Sequence, residues 1–501
     1  VTLPPPLPRA MALDDLLGET GIVVDAPVAG IAVRGICDDS RAIVAGDLFI
    51  ALRGTRTDGR RHVVDALARG AVAVLAEEPI DVADAAVPVL VVPDLRARAG
   101  ELASAFYGHP SRAMRVVAVT GTNGKTTCSW LVAAALARLG ERAAVIGTLG
   151  VGQPPHCEPL VNTTPGAVEL QRLLARLRDA GCTAVAMEAS SIGLDQQRLN
   201  GVAIDVAVFT NLSHDHLDYH GDMQAYAAAK ARLFAWPGLR AAVLNTDDAC
   251  ARAWLREGAV HAPRVLTYGL AGTDLRLLAC AATEEGALAQ IQLATGVQAV
   301  PMRLVGDFNA ANLMAVGGVL LALGHAPEQL AIALADLDGP PGRMERIGGV
   351  GEPRCIVDYA HTPDALEKVL DELDRARRGD LWCVFGCGGD RDRAKRPRMG
   401  EVAARLATQV VVTSDNPRSE SPQAIVDDIL AGIARRDGVT VLLDRAAAIA
   451  HAVRAARDED TVLVAGKGHE QYQEAGGVRQ PFSDQAQVRA ALAARRAGAP
   501  C

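Results

Sequence analysis

The strongest chemical signal in this 501-residue chain is Gly121-Thr122-Asn123-Gly124-Lys125-Thr126-Thr127. It follows the apolar run Val116–Thr120 and precedes a helical pattern ending at Gly140, so a strand feeds a glycine turn and then a helix start. Amides of such a turn point at an anion, and the positive end of the helix dipole faces the same place. Lys125 would neutralise the β- and γ-phosphates of a nucleotide, and the Thr126 hydroxyl would ligate Mg²⁺. The usual phosphate loop has a glycine five positions before Gly124, where this chain has Val119. The loop is therefore a variant, and the alternative is an ordinary strand-to-helix turn.

Other segments carry ligand-type residues. Glu188 and Ser190-Ser191 close the apolar run TAVAM, where an acid serves either as a second Mg²⁺ anchor or as a plain loop carboxylate. The stretch Asn211 to His220 holds His214, His216 and His220 with Asp215 and Asp218, but no HExxH and no cysteine. It reads as metal ligands or as capped turns. Lys230, in QAYAAAKARLF, reads locally as a solvated helix lysine. Asn309 and Asn312 stand three apart at a helix start, where Asn commonly caps. Asp390-Arg391-Asp392-Arg393 and Asp415-Asn416-Pro417-Arg418 follow apolar strands. Their arginines suit carboxylates and their acids suit an ammonium group, as a zwitterionic amino acid requires; the alternative is a solvated salt-bridge cluster.

These loops need strands to carry them. IAVRGICDDSR, DLFIALRG and AVAVLAEE with the helical RRHVVDALARG give a β-α-β rhythm before residue 110. AAVIGTLG, a helix from Ala167 to Ala180, TAVAMEASS and DVAVFTNL continue it, and PPGR at 340–343 marks a boundary. RCIVDYAH, LWCVFGCGGDRD, TQVVVTSDNPR and TVLVAGKGHE then each open from a strand into a polar loop, as a doubly wound sheet does. The expected class is α/β.

Composition narrows the partners. The net charge is −8, and 4 Trp, 6 Tyr and 7 Phe leave few rings for stacking bases, so nucleic acid is not expected. Ten cysteines are too sparse for a disulfide scaffold; Cys383 and Cys387 read as buried small hydrophobes. The apolar stretch 313–324 is too short to span a membrane, no secretory leader pattern is present, and a reducing cytoplasm is the expected compartment. Only five of the 51 basic residues are lysine, at 125, 230, 368, 395 and 467, so each ranks as a site where a compact amine is required.

Taken together, TGTNGKTT, MEASS, NLSHDHLDYHG, GDFNAAN, PGRMER, VDYAHTPDAL, GCGGDRD, SDNPRSE and AGKGHE occur in the order seen in Mur ligases. The chain resembles that family from about Ile31 to about Gln473. The resemblance implies three domains: 1–110 for the UDP end of the substrate, a central P-loop-like 111–339 for ATP, and a Rossmann-like 340–501 for the amino acid. It implies an ATP-dependent amide ligase, expected as a monomer, that adds meso-diaminopimelate to UDP-MurNAc-L-Ala-D-Glu through an acyl phosphate. The alternative is the same chemistry with L-lysine or another amine. Sibling ligases, folylpolyglutamate synthase and a bare P-loop ATPase are the rivals.

Residue by residue, the resemblance implies ATP contacts at 121–127, Asn309, Arg343 and Asp358, and metal ligation by Thr126, Glu188, His216 and Lys230. It implies that Lys230 is N6-carboxylysine formed with CO₂ or bicarbonate, which requires a primary amine. Ser40, Thr55, Arg56, Thr57, Asn162, Thr163, Thr164, Ser190, Gln196 and Arg198 match the nucleotide-dipeptide contacts. Arg391, Asp415, Asn416, Pro417, Arg418, Gly466 and Glu470 match diaminopimelate contacts, Arg418 facing the distal carboxylate that lysine lacks.

Overall fold

The computed structural model describes all residues except 1–2, 8, 55–56, 83–86, 284–285, 305, 350 and 499–501. The chain divides into two compact units: Val1–Leu212 with His216–Arg276 and Met314–Ala333, and Ser213–Asp215 with Leu277–Leu313 and Leu334–Cys501.

The first unit holds a four-stranded parallel sheet and the parallel part of a larger, mixed sheet. Strands Gly35–Cys37, Asp47–Ala51, Ala73–Ala76 and Val89–Val91 lie side by side in chain order. The second sheet runs, in space, Ala143–Gly147, Ala184–Glu188, Arg115–Thr120, Val206–Phe209, Ala241–Asn245 and Arg264–Gly269, all parallel. Arg115–Thr120 is the first of these in the chain yet sits in the middle, because later strands are added on both sides of it. That is the topological switch point, where ligands bind beyond the carboxyl ends of strands. The run Val116, Val117, Ala118, Val119 is buried on both faces, as a central parallel strand requires. Val119 pairs with Glu188 and Thr120 with Phe209, so three neighbouring strands end level. The helix Lys125–Arg138 ends at Gly140, whose φ of +86° takes the left-handed conformation that stops a helix.

The second unit carries a sheet in the order Glu345–Ile347, Arg354–Asp358, Thr461–Ala465, Leu381–Phe385, Gln409–Val412 and Val439–Val441. Only the first strand is antiparallel. Leu366, Leu370, Met399 and Ile429 cover one face, and Ile449, Val453, Val488 and Leu492 the other, giving the doubly wound sandwich expected from the four strand-loop segments. Cys383 and Cys387 are buried among the first set, and burial pushes both thiols up to about 12. An antiparallel hairpin, Ala287–Leu293 with Gly296–Met302, also belongs to this unit. Among the described residues, no helix is long and apolar enough to cross a membrane.

Candidate active site

In the first unit, the phosphate loop is tied to the strand beside it. Thr122 N donates to Asn211 O at 2.8 Å and Asn123 N to Asn211 Oδ1 at 3.0 Å, while Thr210 Oγ1 donates to Asn123 O at 2.6 Å. Gly121 has φ +147° and Gly124 φ +84°, and a Cβ on Gly121 would collide with Thr210 Oγ1. Both glycines are therefore needed for this backbone path. Lys125 Nζ donates to Gly121 O and Thr122 O, 2.9 Å each, so the ammonium lies across the loop. Thr126 and Thr127 are buried in the first turn of the helix.

Glu188, 1 % exposed at the end of the neighbouring strand, accepts from Thr126 Oγ1 at 3.0 Å, Thr148 N at 2.7 Å and Thr148 Oγ1 at 3.3 Å. It is thus no incidental loop carboxylate. Thr148 was not singled out by the sequence; its position just beyond the strand Ala143–Gly147, level with the other strand ends, is the signal that points to it. Thr126 Oγ1 and Glu188 Oε2 are hard oxygen donors side by side, a set that fits Mg²⁺.

Lys230 departs from its local reading. It is 1 % exposed, its Nζ donates to Gly121 O at 2.8 Å, and it stands 4.5 Å over the Tyr226 ring. Tyr226 lies one helical turn earlier, and its hydroxyl meets Thr122 Oγ1 at 3.1 Å. The two residues at i and i+4 therefore share a face turned to the phosphate loop, a spacing visible in QAYAAAK. His216 is exposed with φ +54°, and its ring lies 6.1 Å from that of Tyr226. The segment also contains a capped turn, Asp222 Oδ1 accepting from Ala225 N at 2.8 Å. Among the described residues, no three His, Cys, Asp or Glu side chains converge as a metal-ligand set.

Most residues expected to meet the dipeptide gather around Glu188. Thr163 Oγ1 is 3.1 Å from Thr148 Oγ1; Thr164 Oγ1 donates to Glu188 O at 2.8 Å and accepts from Ser190 N at 3.0 Å. Ser190 caps the helix Ser191–Asp195 through Gly193 N at 3.1 Å. Arg198 donates to Thr164 O at 2.8 Å and to Gln196 Oε1 at 2.7 Å, while Gln196 Nε2 donates to Tyr219 Oη at 3.2 Å. Tyr219 in turn donates to Asp195 Oδ2 at 2.9 Å, a pair the sequence did not mark. Asn162 is exposed on the same loop. Ser40 is buried at the start of a 3₁₀ turn capped by Asp39; the neighbouring Asp38 Oδ2 lies 3.4 Å from where a Cβ on Gly166 would stand. Thr57 is exposed, and Thr55 and Arg56 lie outside the described residues.

In the second unit, Asp358 is buried at its strand end and accepts from Met344 N at 2.7 Å and Ala360 N at 2.8 Å; burial raises its pKa. Arg343 stacks 4.4 Å over Tyr359. The Tyr359 ring also meets His361 at 4.6 Å and His469 at 5.2 Å, and burial lowers both histidines to about 4. Asn309 and Asn312 are the third and sixth residues of the helix Asp307–Ala322, both buried, with Asn312 Nδ2 donating to Asn309 Oδ1 at 3.2 Å. They lie inside the helix and are not its caps.

The two acid-arginine loops meet. A Cβ on Gly388 would lie 3.0 Å from Arg418 Nη1 and 3.8 Å from Arg391 Cγ, and Gly389 packs on Pro417 O. Arg418 has φ +53° and donates to Gly389 O at 2.6 Å; Arg391 is exposed beside it. The salt-bridge reading also holds for part of the segment, because Arg393 pairs with Asp428 at 3.1 Å and Asp390 accepts from Ser419 Oγ at 2.6 Å. A Cβ on Gly466, at φ +115°, would lie 2.6 Å from Asp415 Oδ2. Glu470 Oε2 accepts from Asn416 Nδ2 at 2.7 Å and Lys467 Nζ at 2.8 Å. Lysine scarcity marks Lys467 as a site residue but says nothing of its role. The buried pair Arg445–Asp484, at 2.7 Å, fixes this end of the sheet, with Arg445 also donating to Ala465 O and Ser414 O.

A phosphate loop on a central parallel sheet, with a doubly wound sheet and amino-acid-like loops behind it in the chain, defines an ATP-dependent ligase architecture. The chain belongs to the Mur ligase family: residues 32–107 match the Mur ligase family catalytic domain, 119–320 the Mur ligase middle domain, and 342–468 the Mur ligase glutamate ligase domain. It is 49% identical over 468 residues to the UDP-N-acetylmuramoyl-L-alanyl-D-glutamate–2,6-diaminopimelate ligase of Pseudomonas aeruginosa, covering 93% of this chain and 96% of that one. It is 50% identical over 461 residues to the ligase of the same name from Chromobacterium violaceum, covering 91% and 93%. A solved structure of a ligase of that name matches with a TM-score of 0.72 at 40% identity, covering 97% of this chain and all of the other. A folylpolyglutamate synthase of Mycobacterium tuberculosis complexed with ADP shares the fold, with a TM-score of 0.60 at 20% identity over 74% of this chain and 92% of its own.

Proposed function

We propose that this chain is the ATP-dependent ligase that joins meso-2,6-diaminopimelate to the D-Glu of UDP-N-acetylmuramoyl-L-alanyl-D-glutamate. The observation that carries the reading is near-half identity, over more than nine-tenths of the chain, to ligases named for that reaction. A carboxylate is too poor an electrophile for an amine, so it must first gain a leaving group. The D-Glu side-chain carboxylate attacks the γ-phosphorus of ATP, ADP leaves, and an acyl phosphate remains. The amine then adds to the carbonyl carbon, and the tetrahedral adduct expels inorganic phosphate to leave the amide. Positioning and charge screening are the protein's main tasks in such a sequence.

The residue assignments are those the family resemblance implies, and the clusters described in each unit support them. The loop 121–127, with the Lys125 ammonium lying across it, receives the nucleotide phosphates, and Asn309, Arg343 and Asp358 serve the rest of the nucleotide. Thr126 and Glu188 would hold Mg²⁺, with His216 and a carbamylated Lys230 beside it. Bound there, the cation would screen the phosphate and carboxylate charges that must approach one another. Deprotonated Lys230 attacking CO₂ gives a carbamate and releases a proton, turning a buried cation into an anionic ligand. Thr163, Thr164, Ser190, Gln196 and Arg198 hold the dipeptide, and Ser40 with the 55–57 stretch the uridine end. Arg418 meets the distal carboxylate of diaminopimelate, and Arg391, Asp415, Asn416, Pro417, Gly466 and Glu470 meet the rest of the amino acid, with Glu470 facing an ammonium group. The division into 1–110, 111–339 and 340–501 is supported by the three matched stretches. A monomer in the cytoplasm remains our reading.

Oxygen labelling tests the chemistry. With ¹⁸O in the D-Glu side-chain carboxylate, one label should appear in the released phosphate. Unlabelled phosphate would mean that water, and not the carboxylate, attacks ATP.

A further inference from the structure

Lys467 is fully buried, one of five lysines in a chain that otherwise uses arginine for its basic residues. Its Nζ donates to Glu470 Oε2 at 2.8 Å and to Asn416 Oδ1 at 3.0 Å, and stands 5.5 Å from the centre of the Tyr472 ring. Asn416 is held from every side: Oδ1 also accepts from Glu474 N at 2.9 Å, and Nδ2 donates to Glu470 Oε2 at 2.7 Å. Only an oxygen can face two donors, so Lys467 and Glu474 N dictate which way this amide points. The amide in turn joins Lys467 in gripping one oxygen of Glu470. Among the described residues, Glu470 Oε1 has no hydrogen-bond partner.

We propose that Lys467 is a positioning residue for the amino-acid substrate: its ammonium fixes Asn416 and Glu470 in the one arrangement that presents Glu470 Oε1 to the substrate's ammonium group. The proposal rests on the ligase reading above. A compact ammonium suits the place. Three donors leave one point, whereas a guanidinium spreads its donors over a plane that a fully enclosed site has no room for. Without Lys467, the Asn416 amide is free to flip and would turn a donor toward Glu474 N, and Glu470 loses its charged anchor.

The test separates amine capture from everything that precedes it. Hydroxylamine intercepts an acyl phosphate as a hydroxamate, so trapping it with ATP, Mg²⁺ and UDP-MurNAc-L-Ala-D-Glu reads the first half-reaction without any amino acid. Lys467→Met should raise KM for meso-diaminopimelate roughly 10- to 100-fold, the effect of losing a charge-assisted hydrogen bond. The trapping rate and KM for ATP should stay within about 2-fold of wild type, with Lys467→Gln intermediate because it keeps a donor. Adding Lys467→Met to Glu470→Gln should cost little more than Glu470→Gln alone. Unchanged KM for diaminopimelate, a parallel fall in trapping, or full additivity of the pair would each overturn the proposal. If Lys467→Met does not fold, Lys467→Gln carries the same comparison. No hydroxamate from the wild-type enzyme would overturn the ligase reading instead.

Discussion

Thr126 Oγ1 donates to Glu188 Oε2 across 3.0 Å, joining the first turn of the phosphate-loop helix to the end of the neighbouring strand. Because Glu188 also holds the amide and hydroxyl of Thr148, one carboxylate orders two strand ends and a helix start and still offers oxygens to a cation. Glu188→Gln retains the shape but has a single acceptor oxygen for these donors. It should cost about 1–2 kcal/mol of unfolding free energy and at least about 100-fold in kcat. Thermal melts and phosphate release measured on the same preparation check both.

Lys230 offers a distinct readout. Wild-type kcat should fall in CO₂-stripped buffer and recover on addition of bicarbonate. Lys230→Met should be slower by about 100-fold or more and indifferent to bicarbonate. Lys230→Arg should fare no better, since the site is enclosed between Gly121 O and the Tyr226 ring. A wild-type rate independent of CO₂ would remove the carbamate and leave Lys230 a buried structural cation.

Arg418 should govern which amine is used. Removing its guanidinium leaves the distal carboxylate of diaminopimelate without a partner, a loss of about 2–3 kcal/mol. Arg418→Ala should therefore raise KM for meso-diaminopimelate by about 100-fold and leave the rate with L-lysine almost unchanged. Arg418→Lys should recover only part, because an ammonium cannot reproduce a two-pronged fork. Competition between the two amines, read by product mass, measures the change directly.

The histidines flanking Tyr359 set a pH dependence. Burial lowers His361 and His469 to about 4, and His361 Nδ1 donates to Tyr359 O at 2.8 Å. An unfolded histidine takes its proton near pH 6.5, so between there and pH 4 the unfolded chain binds more protons than the folded one. Stability contributed by the neutral rings is present above pH 6.5 and lost as pH falls toward 4. Each should contribute at most about 3 kcal/mol over that window. Urea titrations at several pH values should show His361→Gln and His469→Gln each flattening this slope.

Much of this fold is legible in the chain because parallel strands buried on both faces leave continuous apolar runs. Val116–Val119, Ala184–Met187 and Val462–Ala465 each appear so, and each opens into a polar loop that carries chemistry. The hairpin Ala287–Leu293 with Gly296–Met302 escaped notice although ALAQIQL alternates in period two, because its alanines weaken the contrast between faces. Lys230 shows where local reading fails. Its helix neighbours are small alanines that suit a solvated face equally well, and only the tertiary approach of Gly121 O makes the site internal. Thr148 and Asn416 likewise acquire meaning from partners 40 and 54 residues away, a separation no local pattern encodes.

The most direct measurement of the central claim follows product mass and phosphate release with ATP, Mg²⁺ and UDP-MurNAc-L-Ala-D-Glu, in parallel reactions with meso-diaminopimelate, L-lysine or no amine. The structure and its relatives lead us to expect sustained turnover only with diaminopimelate, and a product heavier by one such residue. Sustained turnover with L-lysine in place of diaminopimelate, or steady ATP hydrolysis that ignores the nucleotide-dipeptide, would contradict it.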